Sequence, residues 1–333
     1  MDSIFCTVLS KSRVYQFIAF YFSLEKYMKN FRLFVLCIDG ETHALLKKMK
    51  LRNLVLTHVS ELENESLLKI KKQRKLNEYC WTLKPIYIES LMSNYSSFKR
   101  VTYTDSDLFC WSDPSVIFLN QPHCSVLLSR HTLYLPSLPL QEIKFRQELF
   151  GNYNSGLISF KNDEIGLASI RFWKQRCVKY CHEKGISKSF GDQTYLNYLP
   201  SLFPRVCDII TPGVNHGLWD FEMYKFHIQK DQVYVDDAKL IIYHFSGCRI
   251  VSKDSILLVH HVPDRRAILS FESKKIRLPI IYPIYKQILK RGIEFVRNVD
   301  PGFNGYEGIA VTGTGKKKQP QKRTDRKKKS RSG

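Results

Sequence analysis

The chain has 333 residues, with 52 Lys plus Arg against 31 Asp plus Glu, a formal net charge of +21, and 44% of it is apolar. That length and apolar content suffice for one large core or two modest ones and argue against disorder over most of the chain. No stretch approaches the ~18 uncharged apolar residues of a membrane-spanning helix, which argues against an integral membrane protein.

The N-terminus, Met1-Asp2-Ser3-Ile4-Phe5, carries an acid where a signal peptide has Lys or Arg, so a cytoplasmic chain is expected. The positive charge is unevenly placed. Residues 314–333 hold ten basic residues and one acid, a net +9, which leaves +12 for residues 1–313. Nine cysteines are present, several inside apolar runs such as Leu33-Phe34-Val35-Leu36-Cys37-Ile38, the setting of reduced, core-filling Cys. No C-x-x-C pair exists, so zinc ribbons and thioredoxin-type sites have no support. Cys177 and Cys181 lie one helical turn apart, a spacing that suits core packing better than a metal, since no second pair is near.

In chain order, Ser3–Leu9 reads as a strand and Val14–Met28 as a helix, followed by a buried strand over Arg32–Ile38 that Asp39-Gly40 closes. A short helix over Glu41–Met49 and a strand over Asn53–Val59 continue the alternation. That alternation argues for a mostly parallel α/β sheet flanked by helices. Glu61–Asn77 is charged, helical or mobile. Lys84-Pro85 opens a helix to about Asn94, with Pro85 in its first turn. Arg100–Thr104 is a strand ending at Asp105-Ser106-Asp107, and Ser125–Leu128 is another. Arg130–Leu149 reads as a long Pro-containing loop, a length that is usually functional or mobile. Further on come a strand at Ser155–Phe160, a helix at Glu164–Glu183 and a short helix at Gly191–Tyr198. Strands at Val206–Ile210 and Lys239–His244 and a helix at Pro283–Val296 complete the pattern. The expected organisation is one domain over residues 1–250, an appendage over 251–313 and a polybasic tail over 314–333.

The strongest chemical signal is Asp105-x-Asp107 directly after a buried strand. Two carboxylates held close repel each other and favour a divalent cation, and their oxygens suit Mg²⁺ or Mn²⁺. The carboxyl end of a strand in an α/β sheet is also where ligands bind. A solvated turn would have the same residues. Asn154-Ser155-Gly156 offers an amide that can meet a sugar hydroxyl and a glycine that permits close approach. A turn of that composition also forms for backbone reasons alone. Asp192, before a short helix, has the position of an N-cap.

Four strings occur in order: Tyr103-Thr104-Asp105-Ser106-Asp107-Leu108, Asn152-Tyr153-Asn154-Ser155-Gly156-Leu157, Phe190-Gly191-Asp192-Gln193-Thr194-Tyr195-Leu196-Asn197 and His244-Phe245-Ser246-Gly247. In these the chain resembles glycosyltransferases of the GT-A fold, the nucleotide-diphospho-sugar transferases of glycogenin-like organisation and their bacterial relatives. The resemblance spans roughly residues 3–247. It implies that Asp105, Asp107 and His244 hold Mn²⁺ or Mg²⁺ against the diphosphate of a nucleotide-sugar donor, with Asp105 also reaching its ribose. It implies further that Asn154, Asp192 and Gln193 orient the sugar, and that Lys84 and Gly247 border the donor. The family usually follows its His-Phe-x-Gly string with Lys-Pro-Trp. Here Cys248-Arg249-Ile250 follows, so Arg249 stands in for that Lys, and the two are not equivalent. The acceptor would be a hydroxyl of a glycan or glycolipid. If the reaction inverts, Asp192, Asp220 and Glu222 are the candidate general bases. The loop Gly213–Trp219 offers polar and aromatic groups to the sugar or the acceptor, or is simply structural.

Two competitors are weaker. A haloacid-dehalogenase-type phosphatase also uses D-x-D, but Phe109 stands where that family has Thr or Val, and its motif lies near the N-terminus. A basic binding protein with an inactive domain would rest on the tail, whose composition cannot pack a core. Lys and Arg at that density suit an anionic membrane surface, at about 1 kcal/mol each. No recognition motif supports nucleic acid. The Pro283–Val296 helix is amphipathic and suits packing on the domain or lying on a bilayer, the former better.

Overall fold

A computed structural model describes residues 3–131, 136, 138–183, 190–259 and 278–307. The tail at 314–333 lies outside the described residues, as do parts of the 251–313 segment and of the Arg130–Leu149 stretch. The chain opens with β1 (Ser3–Leu9), α1 (Val14–Tyr27), β2 (Phe31–Cys37), α2 (Gly40–Met49), β3 (Leu54–His58), α3 (Glu65–Gln73) and α4 (Leu76–Asn94). Then follow β4 (Arg100–Thr104), β5 (Leu108–Cys110), α5 (Val116–Asn120), β6 (Val126–Arg130), α6 (Leu140–Phe150), β7 (Tyr153–Lys161) and α7 (Glu164–Lys179). The last third has α8 (Leu199–Leu202), β8 (Val206–Asp208), β9 (Val214–His216), the meander β10–β12 (residues 226–239), β13 (Ile242–His244), β14 (Arg249–Ile250), β15 (Ile256–Leu257) and α9 (Ile281–Val299).

Seven strands form one sheet in the order β3-β2-β1-β4-β7-β6-β8. β7 runs antiparallel to β4 and β6, and the other neighbours are parallel. This is the α/β layout expected from the alternating pattern. The continuous apolar runs of β1 and β2 are buried on both faces, as strands of a covered parallel sheet must be. Asp39 accepts the Thr42 N–H at 2.7 Å and starts α2, so the Asp-Gly pair that closes β2 is also the helix cap.

Beside the main sheet, β5, β13 and β9 form a three-stranded sheet that positions the site. β13 runs antiparallel to β5 with His244 opposite Leu108, and the Phe245 N–H donates to the Asp107 carbonyl at 2.9 Å. α9 lies behind this sheet. Tyr285 stacks flat on Phe245 at 3.6 Å between ring centroids, and the Tyr282 and Tyr243 hydroxyls meet at 3.2 Å. Leu289 and Ile293 of α9 are buried in the same core cluster as α1, and side chains of this size contribute about 1.5–3 kcal/mol each. The apolar face of α9 is thus packed on the domain, and it holds both neighbours of His244.

Three expectations fail. Pro85 lies in the middle of α4 instead of opening it; the helix starts at Leu76, and the Trp81 carbonyl loses its usual N–H partner there. The Arg130–Leu149 stretch is not all loop, because α6 begins at Leu140 just after Pro139. Its apolar residues Leu140 and Phe145 face outward, so helical spacing gave no clear stripe. Finally, Cys124 and Cys207 are joined by a disulfide. They are 83 residues apart, and the pairing of β6 with β8 brings them together. The other seven cysteines are free, Cys177 and Cys181 among them, both buried in the core.

Candidate active site

Asp105 and Asp107 follow β4, and His244 ends β13. Asp105, Asp107 and His244 each offer one ligand atom, and these atoms lie within 4.8 Å of one another. His244 Nε2 is 3.0 Å from Asp107 Oδ1 and 4.0 Å from Asp105 Oδ2. Burial alone would push the Asp107 carboxyl up, but His244 and Arg13 outweigh it and hold that group far below the usual carboxylate range. The glycine of the Asn-Ser-Gly turn makes this packing possible. A Cβ on Gly156 would stand 2.4 Å from His244 Cε1 and 2.9 Å from Asp105 Oδ2.

The wall behind the three residues is a network of amides. Asn154 Oδ1 accepts the Gly156 N–H at 3.0 Å and Asn215 Nδ2 at 3.2 Å, and it lies 3.2 Å from His244 Nδ1. A carbonyl oxygen can only accept, so His244 must carry a proton on Nδ1, which leaves Nε2 to face the carboxylates. Asn154 Nδ2 donates to Gln193 Oε1 at 3.2 Å, and the Ser155 N–H donates to the same oxygen at 3.2 Å. Gln193 Nε2 in turn donates to the Phe150 carbonyl at 2.7 Å and to His131 Nδ1 at 3.2 Å. His131 is thereby an acceptor. Burial first, and the nearby His244 second, push its pKa down to about 3.

Lys84 is 2% exposed, and its ammonium sits 3.1 Å from Asp105 Oδ1 and 3.4 Å from Asp192 Oδ2. Burial opposes its charge, but Asp105 and Asp192 prevail and hold the lysine well above its usual range. Burial raises the Asp192 carboxyl, with Lys84 acting against that rise. Asp192 occupies the N-cap position of the short 3₁₀ helix Gln193–Tyr198, but its side chain makes no cap hydrogen bond there.

The other candidates are placed as follows. Gly247, at φ +83°, turns the chain between Phe245 and Cys248, so that Arg249 lines the cavity described below. Asp220 is taken up locally. Its Oδ2 is 2.9 Å from His216 Nδ1, and its Oδ1 accepts the Gly217 N–H at 3.0 Å. Glu222 lies in the 3₁₀ turn Phe221–Met223. In the Gly213–Trp219 loop, Asn215 joins the amide network, and Trp219 stands edge-on to His244 and His131 at centroid distances of 5.3 and 4.7 Å.

Of these groups, Lys84, Asp105, Asp107 and Arg249 line a cavity of about 930 Å³, a size suited to a cofactor or substrate. Trp81, Phe150 and Phe190 line one side, and Arg13, Arg249 and Glu307 line another. Sequence reasoning passed over Arg13, His131, Tyr103 and Glu307. Tyr103 donates its hydroxyl to Asp105 Oδ1 at 2.9 Å. Arg13 had a signal that went unused: it follows the carboxyl end of β1, next to β4 in the sheet, where ligands of such sheets bind. Glu307 had none.

The uncharacterized protein YfnF of Bacillus subtilis (strain 168) is 44% identical to this chain over 307 residues, covering 92% of this chain and 98% of YfnF. The uncharacterized protein YfnD of the same organism is 30% identical over 305 residues, covering 90% of this chain and 92% of YfnD. The chain belongs to the family of these two proteins. No protein-family model matches it. Among solved structures, mouse xyloside xylosyltransferase 1 is similar over 74% of this chain and 98% of that one, with a TM-score of 0.47 and 14% identity. The galactosyltransferase LgtC, solved with donor and acceptor sugar analogues, is similar over 67% of this chain and 78% of that one, with a TM-score of 0.44 and 14% identity. Likenesses this distant carry no argument about chemistry, and the reading below stands on the site itself.

Proposed function

We propose that the chain is a metal-dependent glycosyltransferase of GT-A type, which moves a sugar from a nucleotide-diphosphate donor to a hydroxyl of a glycan or glycolipid. The observation that carries this is the convergence of Asp105, Asp107 and His244, with both aspartates lining a large cavity that Arg13 and Arg249 also line. Two carboxylate oxygens and one imidazole nitrogen fit Mn²⁺ or Mg²⁺, and the Nδ1–H of His244 leaves Nε2 as the ligating nitrogen. When bound, such an ion supplies Lewis-acid stabilisation of the leaving diphosphate.

The chain's own residues do the rest. Lys84 stands between Asp105 and Asp192, and its charge offsets the repulsion of the two carboxylates. In this reading Asp192 stands toward the transferred sugar, while Gln193, its amide taken up by Asn154, Ser155, Phe150 and His131, supports the site from behind. Asn154, which sequence alone would have placed on the sugar, spends its amide on His244 and Gln193 and so acts on the site from behind. Arg249 replaces the lysine of the resembling family on the phosphate side. In this reading the polybasic tail holds the enzyme against an anionic membrane on its cytoplasmic side, and nucleic acid has no part. Alkylation of Cys124 and Cys207 in intact cells checks that placement. Thiols blocked until a reductant is added would put the chain in an oxidising compartment instead.

A thermal-shift screen of the full chain against a panel of sugar nucleotides, with Mn²⁺ and with chelator, tests the function. Metal-dependent stabilisation by one donor is expected. No response to any donor would end the transferase reading.

A further inference from the structure

Glu307 sits between two arginines that face the carboxylate pair. Its Oε1 is 3.4 Å from Arg13 Nη1, and its Oε2 is 3.5 Å from Arg249 Nε. Charge-assisted hydrogen bonds close to about 2.7–2.9 Å, so these contacts are long. Arg249 Nε and Glu307 Oε1 are buried and make no hydrogen bond among the described residues. Both arginines and Glu307 line the same cavity as Asp105 and Asp107. Arg13 is itself held there, donating to the Cys248 carbonyl at 3.2 Å, and the charge of Asp107 reaches it.

The segment that leads to Glu307 is anchored up to that residue. Tyr306 stacks on Tyr15 at 5.1 Å, Phe303 meets the same ring edge-on at 6.0 Å, and the Glu307 N–H donates to the Ile250 carbonyl at 2.8 Å. The backbone is fixed, while the side chain ends in two loose ion pairs. A guanidinium is a fork that suits phosphate oxygens better than one shared carboxylate at this distance. A diphosphate also brings more negative charge than the single carboxylate it would meet.

We propose that Arg13 and Arg249 form an anion subsite for the donor's diphosphate, and that Glu307 is its resident carboxylate, displaced on binding and lowering donor affinity until then. The inference rests on the transferase reading for the identity of the anion. It assigns Arg13 and Glu307 roles that neither the metal group nor the sugar contacts require.

Isothermal titration of the full chain in Mn²⁺ tests it, with uridine, guanosine, adenosine, cytidine and thymidine diphosphates and inorganic pyrophosphate as probes. Glu307→Gln keeps the segment's backbone and aromatic anchors and removes the charge. We expect it to bind its best diphosphate about tenfold tighter, and Arg13→Gln about tenfold weaker. In an Arg13→Gln, Arg249→Gln background the gain from Glu307→Gln should vanish, because the site it blocks is gone. If Glu307→Gln binds equally or more weakly while the wild type binds well, Glu307 merely orients the arginines and the inference falls alone. If no probe binds either protein, the transferase reading falls with it.

Discussion

Asp105, Asp107 and His244 are backed by the side-chain amides of Asn154 and Gln193, which meet at 3.2 Å and are each oriented by a backbone N–H. Beside them, Arg13, Glu307 and Arg249 meet only at 3.4 and 3.5 Å. The difference teaches what each end can be for. A cation site needs ligand atoms held in place before the ion arrives, and rigidity there costs nothing later. A site for a departing anion has to let go, and long ion pairs with a spare carboxylate nearby suit exchange. The rigid end comes from β4, β5, β7 and β13. The loose end comes from the 3₁₀ turn after β1, the start of β14 and the segment 303–307 after α9.

The largest effect should come from removing a ligand at the rigid end. Asp107→Ala should lower transfer by about 10²–10³-fold, the scale of losing one preorganised electrostatic group, and should abolish stabilisation by Mn²⁺. Full turnover in that variant would show that the carboxylate pair is an ordinary turn. Next is Gly156→Ala. Its methyl would overlap His244 Cε1 at 2.4 Å, so His244 must move. Stability should fall by about 1–3 kcal/mol and metal affinity with it. A variant with unchanged affinity would mean that His244 is not a ligand.

Asn154→Leu keeps the branching and heavy-atom count of the side chain and removes the acceptor for His244 Nδ1–H. Second-sphere partners of metal ligands are worth about 10–100-fold in metal affinity, and a loss of that order is expected in titrations with Mn²⁺. Long-range ¹H–¹⁵N spectra of the metal-free form should show a proton on His244 Nδ1 in the wild type and its loss in the variant. An unchanged tautomer would place the control of His244 elsewhere. The same loss at the arginine end, from Glu307→Gln, should have the opposite sign. That contrast is the sharpest statement of how the two ends differ.

The rigid end was largely legible in the sequence, because its chemistry restricts residue type: Asp105, Asp107 and His244 carry ligand atoms, and Gly156 allows their approach. β1, β2 and β4 were legible because continuous apolar runs have few other uses in a chain of this class. Asn154 was named in advance for the wrong partner, since the sequence shows an amide but not what lies 3.2 Å from it. Lys84 was ambiguous for a similar reason. A lysine before a proline is a surface residue by habit, and only the placement of Asp105 and Asp192 makes its burial tolerable. His131 and Glu307 meet their partners across tens to hundreds of residues, which no local pattern encodes. The disulfide was not legible because Cys124 ends an exposed polar turn and Cys207 sits inside a short strand, and neither spacing nor composition pairs them.

The smallest effect belongs to the outer end of the amide network. His131 is 9% exposed, and its pKa is pushed down to about 3 from an ordinary value of 6.5. The unfolded chain therefore takes up a proton near pH 6.5 that the folded protein refuses until about pH 3. Stability from this group is complete above the unfolded value and is lost as pH falls between the two. The slope from one proton is at most about 1.4 kcal/mol per pH unit. His131→Gln should remove that slope, so urea unfolding of the variant should be less steeply acid-sensitive between about pH 6 and pH 4, with little change at pH 8. Because Gln193 Nε2 would still find an oxygen acceptor in the new side chain, metal affinity should move far less than in Asn154→Leu. An equal acid slope in both proteins would mean that His131 is protonated in the fold. Gln193 would then have to turn over, and the order of donors and acceptors would have to be rewritten from His131 back to His244.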